Sequence, residues 1–235
     1  MSDIGRNLRE IHERMEAACL KAGRDPSSVE LVAVSKTFPD AAVREAADAG
    51  QIVFGESRQQ EAAPKIAALP DHLRWHFIGR VQSNKVRKLL PLFDTIHAID
   101  SLRLARHTAG VAVELGLFPK VFLQVNVGGE ASKGGFEPDE LEREIESLLA
   151  VERLDIQGLM TIPPPGENAE ASRPWFVRLR ELRDRLERRS GVKLPSLSMG
   201  MSGDFEVAIE EGATHVRVGS AIFGGRTYRV DGELG

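Results

Sequence analysis

The chain has 235 residues, 42% of them hydrophobic, with a formal charge of −4 and a single cysteine. A chain of this length buries roughly 70% or more of its unfolded surface, so stability needs neither disulfides nor a structural metal. One cysteine permits no internal disulfide, "MSDIGRNLRE" is too charged for a signal peptide, no apolar run reaches the ~20 residues of a membrane span, and the negative charge gives no global attraction to nucleic acid. A cytoplasmic protein that binds neither membrane nor nucleic acid is expected.

The first element is a helix over 4–22, whose stripe Leu8, Ile11, Met15 and Cys19 makes the thiol a buried, inert one. From residue 30 onward, short β-branched and apolar runs alternate with helical patterns. The runs cover 30–36, 51–57, 74–80, 94–100, 121–127, 154–162, 194–200 and 215–223. A helix follows the first, with Pro39 and Asp40 at its start and Gly50 as its stop. The stretch 162–174 reads as a loop. Beyond it comes an amphipathic helix with Trp175, Phe176, Leu179, Leu182 and Leu186 on one face. Its arginines, like "NKVRK" at 84–88, read as solvated surface, and the spacings Glu181 to Arg185 and Asp184 to Arg188 suit pairs along one helix. Another helix is opened by Ser202 and closed by Gly212.

Eight strands with helix-length connections predict parallel pairing through right-handed crossovers. The fold class is therefore α/β, a single (β/α)8 TIM barrel with an extra amino-terminal helix. Residues 1–29 form that helix and its lead-in, 30–226 the barrel and 227–235 a tail. An open doubly wound sheet is the competing architecture, though it usually has fewer strands.

In such a barrel, chemistry collects at the carboxyl ends of the strands. Lys36, Glu56, Ser57, Gly79, Arg80 and Asn126 fall there, as does "SMGMSGD" after the seventh strand. Alternation puts Val32, Val34 and Lys36 on one side of the first strand. If that side faces the axis, an amine stands at the mouth of a largely apolar interior, where desolvation lowers its pKa and favours attack on a carbonyl. A lysine snorkelling to solvent suits the same position equally well. Lys133 is the only rival lysine at this face and reads as a loop residue.

Small residues follow the seventh and eighth strands, where barrels often hold phosphate: Ser198, Gly200, Ser202 and Gly203, then Gly219 and Ser220. Ordinary turn and cap chemistry uses the same residues. Arg217 shares a face with Gly219 and points into the barrel below it, toward either a core carboxylate or a ligand. His76 lines the mouth or sits satisfied inside the barrel, the second being favoured. No metal-ligand spacing, G-x-S-x-G or G-x-G-x-x-G after a strand occurs. An amine, a phosphate cradle and an arginine together suggest pyridoxal 5'-phosphate, or a Schiff-base aldolase acting on a sugar phosphate.

The segments "LVAVSKT", "FGESRQQE", "WHFIGRVQSNK", "VNVGGEASKGGF", "GLMTIPP", "LSMGMSGDFEVAIEEG" and "VRVGSAIFG" resemble the pyridoxal phosphate homeostasis proteins, whose barrel is similar to the amino-terminal domain of alanine racemase. The resemblance implies that Lys36 carries the cofactor as an internal aldimine. It also implies that the serine and glycine loops at 198–203 and 219–220 bind phosphate, and that Arg217 faces the pyridine nitrogen. Where the family usually has asparagine after "FGE", this chain has Ser57, which keeps a hydrogen-bonding group of shorter reach.

An arginine opposite the ring nitrogen disfavours a protonated pyridinium and weakens the cofactor as an electron sink. Racemases resembling this barrel take a second acid or base from an additional β-domain and a partner subunit. Tyr228, the sole tyrosine, reads as a tail residue. A monomeric, non-catalytic carrier handing the cofactor to apo-enzymes is expected, with a racemase-like amino-acid enzyme as the alternative.

Overall fold

In a computed structural model, residues 2–130 and 134–225 are described; Lys133, Tyr228 and the tail at 227–235 lie outside them. Eight parallel strands close in sequence order: β1 (Glu30–Val34), β2 (Val53–Glu56), β3 (Arg74–Phe77), β4 (Thr95–Ile99), β5 (Lys120–Gln124), β6 (Asp155–Met160), β7 (Ser196–Met201) and β8 (His215–Val218). The barrel closes where β1 pairs with β8, Leu31 opposite Val216 and Val32 opposite Arg217. Period-two alternation divides each strand between two environments. Leu31, Ala33 and Phe54 enter the layer between barrel and helices, whereas Val32 faces inward, since a Cβ added at Gly55 would lie 2.9 Å from its Cγ1.

Around the barrel run α1 (Asp3–Lys21), α2 (Asp40–Asp48), α3 (Gln59–Ala68), α4 (Val86–Leu89), α5 (Leu102–Leu115), α6 (Pro138–Leu149), α7 (Arg173–Ser190), α8 (Phe205–Glu210) and α9 (Ser220–Phe223). Because α8 and α9 are short, they leave the closing seam thinly covered. The additional helix α1 fills that side, burying Leu8, Ile11, Met15, Ala18 and Cys19. Arg14 grips Glu206 through two hydrogen bonds of 2.8 and 2.9 Å, and Asn7 donates to the Ile222 carbonyl at 2.8 Å.

Four expectations are corrected. Most strands end earlier than their apolar runs, so Lys36 lies in the turn beyond β1 rather than on it. The segment 162–174 contains a 3-10 turn, Ala169–Ser172, and the first two residues of α7. Asp204, not Ser202, occupies the N-cap position of α8, without a side-chain cap bond. On α7, Arg185 reaches across to Glu142 of α6 at 2.9 Å and Asp184 pairs with Arg183 at 2.6 Å, so these charges do not form the one-helix ladder that their spacing suggested. The apolar face is as expected: Phe176, Leu179, Leu182 and Leu186 are buried, and Trp175 packs against the core from a half-buried position.

Leu179 is wholly buried, and its truncation leaves a cavity that close-packed neighbours fill only in part. Leu179→Ala should cost about 3 kcal/mol, read as a lower urea midpoint at unchanged slope.

Candidate functional site

Beyond Val34 the chain bends sharply. Thr37 sits at φ 71°, and the Phe38 amide donates to the Ser35 carbonyl at 3.1 Å, so Lys36 stands at the tip of a tight turn. A buried clamp holds its base. The Ser35 hydroxyl donates to Glu56 Oε1 at 2.8 Å, while Lys65 Nζ, arriving from α3, donates to the same oxygen at 2.5 Å and to the Ser35 carbonyl at 3.0 Å. Glu56 is fully buried and Lys65 nearly so. The clamp joins the ends of β1 and β2 to one helix and thereby orients the lysine. One more close approach fixes this rim: a Cβ at Gly79 would lie 2.2 Å from the Ser57 carbonyl oxygen.

Lys36 opens into a cavity of about 410 Å³ whose lining includes Arg217, Ser202, Gly203, Gly219 and Ser220, with Val34, Phe38, Ile78 and Ile162 as apolar walls. Here the Ser202 hydroxyl accepts from the Gly219 amide at 3.2 Å and the Ala221 amide at 3.4 Å, so its own proton is left to donate. Asp204 is engaged locally, accepting from the Met201 amide at 2.7 Å.

Arg217 is buried in the floor. Nη1 donates to Ser198 Oγ at 2.5 Å and Nη2 to the Thr161 carbonyl at 2.8 Å, and no carboxylate pairs with it among the described residues. Burial pushes the guanidinium down to about 10, partly offset by attraction to Asp204, so it stays charged at neutral pH.

Three of the sequence-predicted site residues do not line this cavity. Ser198 lies beneath Arg217 as its acceptor. Gly200, at φ 93°, packs on α8, where a Cβ would meet that of Ala208 at 2.6 Å. Ser57 lines a separate cavity of about 240 Å³ with Arg58, Arg80 and Lys85. Asn126 lines a third, beside Ile78 and Ile162, and is held by Glu130 and Glu137.

Below the floor the barrel is not the largely apolar interior expected from the valines of β1. His97 Nδ1 lies 2.8 Å from Ser198 Oγ, and its Nε2 lies 3.0 Å from His76 Nδ1. Phe122 stacks on His97 at 4.6 Å. His76 Nε2 faces Glu30 at 3.9 Å, in a polar cavity at the opposite mouth that also contains Arg74, Lys120 and His215. Burial depresses His76 to about 3 and takes His97 well below the usual imidazole range, which leaves both neutral.

Comparison with known proteins gives the family and the fold. The family model for the alanine racemase N-terminal domain matches residues 4–227. A pyridoxal phosphate homeostasis protein of Aquifex aeolicus (strain VF5) is 48% identical over 222 residues, covering 94% of this chain and 97% of that relative. This chain belongs to that family. PipY of Synechococcus elongatus PCC7942, solved with pyridoxal phosphate bound, superposes with a TM-score of 0.79 at 42% identity, covering 91% of this chain and all of that one. Alanine racemase of Clostridium difficile 630 gives 0.68 at 18% identity, covering 96% of this chain and 58% of that one, and shares the fold.

Sequence reasoning missed the clamp partner Lys65 and the buried His97. An isolated lysine on a helix and a histidine in an apolar run gave no sign of their partners, which lie 9 and 101 residues away in the chain.

Lys65→Ala would leave Glu56 buried without its cation and should destabilise by about 3–5 kcal/mol in denaturant titration. A double change to Glu56→Leu and Lys65→Met should recover most of that loss. The histidines predict an acid limb. Their folded pKa values lie below the unfolded value of 6.5, so the unfolded chain takes up protons first and stability falls as pH drops from 6.5 toward about 3. Each contributes up to about 1.4 kcal/mol per pH unit. His76→Phe should flatten that limb in a pH series of thermal melts.

Proposed function

We propose that this protein holds pyridoxal 5'-phosphate reversibly at Lys36 and supplies it to apo-enzymes, acting as a cytoplasmic, monomeric, non-catalytic carrier. The observation that carries the proposal is one cavity that gathers an amine, a donor-rich serine and glycine rim and a buried arginine.

The residues suit the group. Ser202 keeps a hydroxyl proton for an anion after accepting two amides, and the Gly219 and Ser220 backbone shares its rim. Gly219 lets β8 approach β1 closely, since a Cβ there would lie 3.2 Å from the Val34 carbonyl oxygen. Arg217, charged and bound only to neutral acceptors, would direct its remaining N–H groups to an acceptor such as a pyridine nitrogen. The cofactor supplies an aldehyde that condenses reversibly with a primary amine and releases water.

Lys36 would provide that amine, on a turn clamped by Ser35, Glu56 and Lys65. Val34, Phe38, Ile78 and Ile162 would exclude water from the link. Apart from Lys36, the described lining consists of apolar side chains, serines, backbone and Arg217, none of them a second base. This supports holding over turnover, as do the relatives named for homeostasis.

Purified protein given pyridoxal 5'-phosphate should develop a visible absorbance band that borohydride fixes onto the Lys36 peptide in a mass map, and Lys36→Ala should abolish both. A label on another lysine would refute the assignment. Holo-protein mixed with an apo-aminotransferase should restore its activity, whereas steady racemisation or keto-acid release from an amino-acid panel would replace the carrier by an enzyme.

A further inference from the structure

We propose that Ser198, His97 and His76 are positioning residues, forming a one-way hydrogen-bond chain that orients Arg217 toward the bound cofactor ring. The proposal rests on the cofactor reading for its ligand and on the barrel interior for its geometry.

The direction follows from donor and acceptor counts. A guanidinium only donates, so at 2.5 Å Ser198 Oγ must accept from Arg217 Nη1. The serine oxygen could accept from His97 Nδ1 as well, but its own proton would then have no acceptor among the described residues, and the reversed chain would turn the bare Nε2 of His76 towards the Glu30 carboxylate; the proton therefore goes to His97 Nδ1, at 2.8 Å. A neutral imidazole that accepts at Nδ1 carries its proton on Nε2, which is the donor to His76 Nδ1 at 3.0 Å. His76 by the same logic carries its proton on Nε2, facing the Glu30 carboxylate at 3.9 Å, which only accepts. The hydrogen bonds thus run from a fixed cation near one mouth down to His76, which meets the fixed Glu30 anion at the other by electrostatic contact at 3.9 Å, and both tautomers are set by these ends. Reversing one link would place two donors or two acceptors face to face.

The surrounding groups favour this state. His97 is faced by Arg217, His76, His215 and Phe122, and His76 by Glu30, Arg74, Lys120 and His215. A proton added to His97 would face the Arg217 guanidinium in a site without water contact. Neither imidazole therefore offers a lone pair to the cavity. Arg217 is held by two acceptors, Ser198 and Thr161, that leave its other N–H groups to meet a ligand.

Nitrogen-15 NMR of histidine-labelled, ligand-free protein at neutral pH should show His97 and His76 as neutral Nε2–H tautomers. An Nδ1–H tautomer or an imidazolium at either would overturn the chain. Affinity is then measured for a ring analogue with a methyl group in place of the aldehyde, which cannot bond to Lys36. Ser198→Ala and His97→Phe should each weaken it roughly tenfold, while His97→Gln, which keeps an acceptor and a donor on one planar group, should stay near the wild type. Equal losses in all three, or none, would refute the positioning role. Wild-type protein that fails to bind the analogue refutes the cofactor reading instead, and the tautomers still decide the chain. If His97→Phe does not fold, the affinity of Ser198→Ala and the NMR signature decide between these outcomes.

Discussion

A guanidinium sealed inside a barrel is the constraint around which this molecule is arranged. Arg217 cannot lose its proton at neutral pH and cannot accept a hydrogen bond, so every polar group near it must be an acceptor or be turned into one. Thr161 meets the demand with a backbone carbonyl and Ser198 with its hydroxyl, and Ser198 hands the polarity down to His97 and His76. Two histidines that would otherwise be free to change tautomer become fixed. The fold accepts a polar interior because Ser198 and His97 are bonded on both sides and His76 turns its other nitrogen to the Glu30 anion; a chain broken in the middle would leave donors buried without acceptors, costing about 1–3 kcal/mol each.

The mouth is built on a second buried charge, with the opposite logic. Glu56 and Lys65 do not face the cavity; they lie behind Ser35 and tie two strand ends to α3. Such a pair is weak evidence of stability, since apolar side chains of equal volume often do as well. Its value here is geometric. The turn that carries Lys36 includes a left-handed threonine, and a flexible β1 end would let that strain relax by moving the amine. Clamping the residue just before the turn fixes where the amine emerges.

Much of the architecture could be read from periodicity, because the alternation of strands and helices obeys local rules. The eight runs, the order of the helices and the stripe of α1 all follow from spacing alone. Of the cavity, Lys36, Arg217, Ser202, Gly219 and Ser220 were legible because strand parity and position after a strand place them at one mouth. Ser198 and Gly200 do not line it because β7 extends to Met201 and carries both below the rim. Ser57 comes after the end of β2, where strand parity no longer holds, and lies with Arg58 and Arg80 in a neighbouring cavity. Lys65 and His97 were illegible in principle: their roles depend on partners brought together only when the barrel closes.

The two halves of the barrel interior then divide the work between covalent and polar contacts. The mouth around Lys36 is walled by apolar side chains and is suited to a reversible covalent link that excludes water, while the interior below it is polar but locked. Catalysis on a cofactor of this kind needs a proton to move between substrate, lysine and a second group. In this interior His97, the imidazole next to Arg217, already gives and receives all the hydrogen bonds its neutral form allows, and Arg217 cannot serve as a base. A site so constructed would hold a reactive ring with directional contacts and, on the function proposed above, would leave the link at Lys36 as the one made and broken. That is the arrangement a holder requires, since its affinity must come from many fixed contacts and its release from a single reversible one.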